Sequence, residues 1–239
     1  MEPLDNPIWI ALTTSQSHFA EGQKAARRFP AEVSPLCGAK DANEEGFESV
    51  RDLLASGGTA ALFLSKRTDL PPGLETVLER PLLQMILEKN AHLPAKSRAH
   101  PFMELGDADV PEMLELTAMT KPGPFEKRTR EMGTYLGIRT AGKLVAMAGE
   151  RLKLPGHTEI SAVCTHPEHL GHGYAGFLMT ILAERIRARG EAPILHVLPE
   201  NTRATSLYER LGFRKRYLAH LTIVRAAKRD GSQAAPAQN

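Results

Sequence analysis

Apolar residues recur along this chain with a helical period in some windows and as short continuous runs in others. Ile8-Trp9-Ile10-Ala11-Leu12 forms a first apolar element, and residues 17–29 carry apolar side chains at irregular helical spacing. Over 41–56, Phe47, Val50, Leu53 and Leu54 share one helical face, and Gly57-Gly58 offers a left-handed stop. Runs at 59–64 and 82–87 read as buried strands on either side of the turn Pro71-Pro72-Gly73. After a strand at 102–105, Asp107 or Asp109 can cap a helix in which Val110, Met113, Leu114, Leu116 and Thr117 keep the 3.6 period until Pro122-Gly123-Pro124. Residues 125–132 predict a short helix; 134–139 and 143–152 predict strands joined at Thr140-Ala141-Gly142.

The densest signal lies in 159–213. A strand from Glu159 runs into Gly171-His172-Gly173-Tyr174-Ala175-Gly176. A helix follows, with Tyr174, Phe177, Leu178, Ile181, Leu182, Arg185 and Ile186 on one stripe and Gly190 as its stop. A strand over 194–198 and a short helix from Asn201 complete the stretch, and 217–224 predicts a last strand. Residues 89–100 are polar and small, which places a domain boundary near Lys96. The expected organisation is an N-terminal α/β domain over 1–96, a second domain over 97–225 and a disordered tail over 226–239, whose composition of Ala, Gln, Pro and Ser loses all periodicity.

Composition narrows the partners. With 239 residues, 42% of them hydrophobic, the chain can bury real cores, and 30 basic against 28 acidic residues create no field for nucleic acid or membrane. Cys37 and Cys164 are too few for a disulfide framework or a metal site. Without a signal-like N-terminus or a long apolar stretch, a soluble, cytoplasmic protein is expected.

The glycine turn sits where a strand has ended and a helix begins, so unpaired N–H groups and the positive end of the helix dipole favour an anion. Glycines at 171 and 173 leave the backbone open to a phosphate. The same residues match the dinucleotide pattern G-x-G-x-x-G, but Thr165–Leu170 intervene after the strand, and Glu191 precedes the next strand where a dinucleotide site needs an acidic residue at its end. His166, His169 and His172 recur every third residue, yet no acidic or cysteine cluster accompanies them at ligand spacing, so no metal is expected.

Val163-Cys164-Thr165-His166-Pro167-Glu168-His169-Leu170-Gly171-His172-Gly173-Tyr174-Ala175, followed by Asn201-Thr202-Arg203-Ala204-Thr205-Ser206-Leu207-Tyr208-Glu209-Arg210-Leu211-Gly212-Phe213, resembles the GNAT acyl-coenzyme A N-acyltransferases. Within that superfamily it looks most like the glycine N-acyltransferase-like branch, in which a longer N-terminal region precedes the catalytic domain. The resemblance covers roughly 99–224 and is strongest over 159–214. It implies a mixed α/β (α+β) fold with a mostly antiparallel central sheet flanked by helices, and an N-terminal domain of related or degenerate architecture. It further implies transfer of an acetyl or acyl group from acetyl-CoA to a small-molecule or peptide amine in a ternary complex. The alternative is a CoA-binding sensor or interaction module that keeps the fold and loses catalysis.

By the resemblance, Val163, Cys164 and Thr165 border the pantetheine arm, and Leu170, Gly171, His172, Gly173, Tyr174 and Ala175 hold the pyrophosphate. Asn201 reaches the cofactor or caps its helix, and Tyr208 points at the acyl sulfur. Glu168 and Leu170 stand where the family carries polar or basic residues. A tyrosine, with an ordinary pKa of about 10, stays protonated beside a thiol near 8.5 and can donate to it. For the base, Glu159 and His157 alternate onto the side of the strand that carries Ser161 and Val163, with Glu150 a third choice. Cys164 lies on the binding strand, but its neighbours give no obvious thiolate activation.

Overall fold

The computed structural model describes residues 2–88, 91, 93 and 99–227. The boundary expected near Lys96 and nearly all of the expected tail lie outside the described residues. The helices are α1 (Pro7–Thr13), α2 (Glu44–Leu53), α3 (Val110–Thr120), α4 (Tyr174–Ala188) and α5 (Thr202–Arg210). The strands are β1 (Ala26–Arg28), β2 (Cys37–Ala39), β3 (Ala60–Leu64), β4 (Leu74–Leu87), β5 (Met103–Glu104), β6 (Tyr135–Thr140), β7 (Lys143–Leu154), β8 (His157–Thr165), β9 (Ala192–Val197) and β10 (Phe213–Ala226).

Local chemistry sets the helix ends. Asn43 caps α2, its Oδ1 accepting from the Gly46 N–H at 2.9 Å, and Glu44 and Glu45 in the first turn complement the helix dipole. Asp109 accepts the Gly106 N–H at 2.7 Å just before α3, which stops at Lys121 in the left-handed region. Residues 17–29 do not form a helix. Gly22 and Lys24 both take positive φ there, so a 3-10 turn over Ser17–Phe19 gives way to β1. The short helix expected over 125–132 shrinks to a 3-10 turn at Thr129–Met132.

Eight strands make one mixed, mostly antiparallel sheet in the order β3-β10-β4-β9-β8-β7-β6-β5, flanked by helices on both faces. Strand β4 lies between β10 and β9, so residues before and after the expected boundary share this sheet. Alternation along the strands feeds two cores. Leu83, Met85 and Leu87 of β4 and Leu195 and Val197 of β9 pack under α4 and α5, against Leu178, Leu182, Ile186 and Tyr208. Leu82 and Ile194 point the other way, onto Leu4, Ile8, Ala11 and Leu12 at α1. On that second face α3 sets Met113 and Leu116 against Tyr135, Met147 and Cys164. Burying each such side chain contributes about 1.5–3 kcal/mol.

Two close fits fix β7. The buried Gln16 side chain donates to Arg151 O at 2.8 Å and accepts from Lys153 N at 3.1 Å, satisfying backbone groups of β7 beyond Gly149, where its pairing with β6 ends. Gly149 lies under the Tyr135 ring, where an added Cβ would come within 2.2 Å of the ring. Tyr135 is fully buried and cannot swing away. Gly149→Ala should therefore destabilise the fold by about 3 kcal/mol, read as a lower urea midpoint with an unchanged slope. Wild-type stability would contradict the packing described.

Candidate active site

Sheet pairing is antiparallel except between β8 and β9, which α4 connects as a crossover. That parallel pairing lasts only from His157–Ala192 to Glu159–Ile194, after which the strands part and one edge of β8 has no strand neighbour among the described residues. Ala162 takes a positive φ of 52° in the middle of the free stretch, and the β7 register slips there, with Ser161 opposite Gly149 but Cys164 opposite Met147. This bulge breaks the strand's alternation. As a result Ile160, Ser161, Ala162 and Val163 in succession line one cavity.

Two cavities meet at this gap. The first, about 490 Å³, is bordered by Val163, Cys164, Thr165, Leu170, Gly171, Gly173, Tyr174, Ala175 and Asn201. Gly171 and Gly173 have φ of 84° and 81°, a conformation that favours glycine, and nothing stands within 4 Å of where their Cβ atoms would be. The N-terminus of α4 has neither a side-chain cap nor an acidic residue in its first turn, so its N–H groups face the cavity open to an anion. His172 is not in the wall; its ring stacks on Tyr174 at 5.3 Å. Glu168 borders a separate cavity with Glu112 and Glu115, so its charge is directed away from the anion site. Arg203 and Arg210 of α5 and Lys121 also line the first cavity, and none forms an ion pair among the described residues. The arginines escaped the sequence reading, although their i, i+7 spacing with Leu207 between them marks one helix face.

The second cavity, about 290 Å³, shares Lys121, Pro122, Val163, Asn201, Ala204 and Tyr208 with the first. Tyr208 thus stands at the junction. Burial raises its phenol to about 12, with nearby Cys164 adding to the shift. Burial likewise pushes the Cys164 thiol up to about 11, against smaller opposing contributions from Thr120 and the Met147 backbone. A nucleophilic thiolate has no support here. The side-chain oxygen of Asn201 accepts from Ala204 N at 3.1 Å, so it caps α5 while lining both cavities.

The candidate bases are placed differently. Glu159 is completely buried and lines neither cavity. Its carboxylate accepts from Arg151 Nε at 2.8 Å, Arg151 Nη2 at 2.7 Å, Leu152 N at 3.4 Å and His196 Nδ1 at 2.7 Å. Burial alone would raise this carboxyl; the Arg151 charge and the hydrogen bonds from Arg151 and His196 outweigh it and hold the pKa far below the usual range. A carboxylate so saturated is a poor proton acceptor, which corrects the reading of Glu159 as base. His157 sits at the far end of β8 from the glycine turn, with Nδ1 3.1 Å from Pro155 O, and is not brought to Tyr208. Glu150 is buried and paired with Arg189 at 2.8 Å and Lys153 at 3.2 Å. His196, absent from the sequence reading, lines the second cavity together with Arg151. No group of three or more His, Cys, Asp or Glu side chains among the described residues can hold a metal ion.

The comparisons with known proteins agree with this geometry. Residues 135–222 match the model of the FR47-like protein family. A structure from Novosphingobium aromaticivorans assigned to the GNAT acetyltransferase family is 34% identical, covers 95% of this chain and 100% of its own, and superposes with a TM-score of 0.86. A GCN5-related N-acetyltransferase from Kribbella flavida shares the fold at 18% identity and a TM-score of 0.60, over 90% of this chain and 95% of its own. No protein of curated function matches the sequence.

The Glu159 pair gives a prediction with a definite sign. Because the folded-state pKa lies below the ordinary 4.5, the pair stabilises the fold in full above that value and ever less as pH falls below it. Glu159→Gln should cost about 3 kcal/mol at pH 7, as expected for breaking a buried pair, and the gap to wild type in urea unfolding should narrow on acidification. A gap that stays constant with pH would refute the assignment.

Proposed function

The chain belongs to the GNAT family of acetyltransferases, and from that premise we propose that it transfers an acetyl group from acetyl-CoA to a primary amine by direct attack in a ternary complex. The observation that carries this reading is the meeting of an anion-ready cavity and a second, mostly apolar cavity at Val163 and Tyr208. The cosubstrate fits the residues present. The N–H groups of α4 and the left-handed Gly171 and Gly173 suit a pyrophosphate, Arg203 and Arg210 add positive charge, and the free edge of β8 suits the amides of a pantetheine arm. When bound, acetyl-CoA supplies the activated acyl group.

Each remaining need falls to a residue of this chain. Bulged backbone at Ala162 and Val163 offers an N–H to the thioester oxygen as negative charge develops there. Tyr208, with a pKa near 12, keeps its proton at neutral pH and gives the departing sulfur a hydrogen bond. The amine must arrive neutral, since among the described residues no side-chain carboxylate lines the second cavity to deprotonate it. The high pKa of Cys164 favours direct attack over an acyl-cysteine route. The likeness to glycine N-acyltransferase-like proteins belongs to the same reading, because the first 90 residues add β3 and β4 to the sheet. So does work in the cytosol; no helix among the described residues is long and apolar enough to cross a membrane. The competing reading, a CoA sensor without turnover, draws on the missing base alone.

Release of free thiol from acetyl-CoA across a panel of amines separates the two readings. Tyr208→Phe should lower kcat by about 10²-fold with acetyl-CoA affinity retained; tight acetyl-CoA binding with no thiol release from any amine would favour the sensor. Arg203→Ala with Arg210→Ala should weaken acetyl-CoA binding about 10-fold, roughly 1.4 kcal/mol, and leave S-acetyl-pantetheine, which lacks the pyrophosphate, unaffected. Equal losses with both thioesters would place the arginines elsewhere.

A further inference from the structure

The second cavity has a one-sided charge. Its wall is mostly apolar, with Leu36, Ala61, Phe63, Leu82, Leu221 and Ile223 among its residues, and among the described residues its charged side chains are Arg151 and Lys121, with no Asp or Glu. Arg151 is 6% exposed, and its Nε and Nη2 are both spent on Glu159, which leaves Nη1 without a protein partner among the described residues. Lys121, the exposed left-handed residue closing α3, lies where the two cavities join and has no ion pair.

We infer that the acceptor is an amine that carries its own carboxylate on an apolar body, of the class of apolar α-amino acids, with the carboxylate held by Arg151 Nη1 and Lys121 Nζ and the side chain against the apolar wall. This deepens the acyl-transfer reading and rests on it. Arg151 lines the cavity and its Nη1 is not one of the buried polar atoms cut off from both solvent and partner, so it is open to an incoming acceptor, for which a planar carboxylate is a close match. Polyamines and other polycations find no anionic partner in the wall and meet two like charges. In the step itself the amine nitrogen bonds to the thioester carbon, the carbon–sulfur bond breaks with its electron pair on sulfur, and one nitrogen proton ends on that sulfur, so that thiol and amide result.

The test pairs turnover with a binding measurement that needs no catalysis. In thiol release with the full chain, leucine and phenylalanine should exceed isopentylamine and phenethylamine, their decarboxylated counterparts, by about 10²-fold in kcat/KM, the size expected when a buried polar site loses its partner. Spermidine should be poorer still. Calorimetry should show N-acetyl-leucine binding and N-isopentylacetamide binding at least about 10-fold more weakly. Since Arg151 substitutions break a buried pair, Lys121→Gln on the exposed rim is the second variant. It should raise KM for leucine about 10-fold and leave that for isopentylamine unchanged. Equal or better turnover of the decarboxylated amines or spermidine, or a Lys121→Gln effect shared by both acceptors, would overturn the proposal and leave acyl transfer standing. Selective binding of N-acetyl-leucine without thiol release from any amine would sustain carboxylate recognition and fell the acyl-transfer reading.

Discussion

The buried pair between Arg151 and Glu159 is the constraint on which the site depends, because of where it stands. Glu159 is the last residue of β8 paired to β9, so the ion pair sits at the vertex of the opening. From there a line of side chains crosses five neighbouring strands, one from each: Arg151 on β7, Glu159 on β8, His196 on β9, Gln84 on β4 and Arg216 on β10. Gln84 donates to Leu4 O at 3.0 Å and accepts from Arg216 at 3.2 Å, which fixes its amide orientation. Its nitrogen therefore also donates to His196 Nε2 at 3.0 Å, and the ring proton lies on Nδ1, toward Glu159. Such a line contributes modest net stability compared with an apolar replacement, but every member is needed once one charge is buried. Its structural effect is to tie the strands together where backbone pairing ends, so the gap opens at a defined place.

Much of the anion side was legible in the sequence, because backbone chemistry makes it. Gly171 and Gly173 are needed for their φ values, the stripe from Tyr174 to Ile186 specifies α4, and Asn201 starts α5. The acceptor side was not legible. Alternation along β8 pointed Glu159 outward with Ser161 and Val163, and two non-local facts defeat it: the bulge at Ala162 and the arrival of Arg151 from β7. Neither leaves a local signature. Likewise β4 begins at Leu74, well before its apolar run, because Leu74–Arg80 pairs with β10 through the backbone while Glu75, Thr76, Val77 and Arg80 stay exposed.

Charge at the anion side is distributed rather than concentrated in the turn. Glu168 and Leu170 occupy positions where basic or polar side chains would assist a phosphate, and the fold compensates from α5, whose Arg203 and Arg210 project into the same cavity. Leu170, 42% exposed, then acts as an apolar part of the wall. Glu168 lines the cavity that Glu112 and Glu115 border and not the anion cavity, so its charge does not stand in that wall.

The N-terminal part of the chain acquires its meaning from the same geometry. Pro35, Leu36, Thr59, Ala61, Phe63 and Leu82 all face the second cavity, and Leu4, Asp5 and Glu2 anchor the far end of the side-chain line through Gln84 and Arg216. None of these residues touches the anion cavity. The first 90 residues thus contribute part of the second cavity's wall, and the residues that border the anion cavity, Tyr208 among them, come later in the chain. Under the acyl-transfer reading, substitutions in the early segment should accordingly act on which amine is accepted, through packing and through the position of Arg151, while Val163 and Tyr208, which border both cavities, belong to β8 and α5.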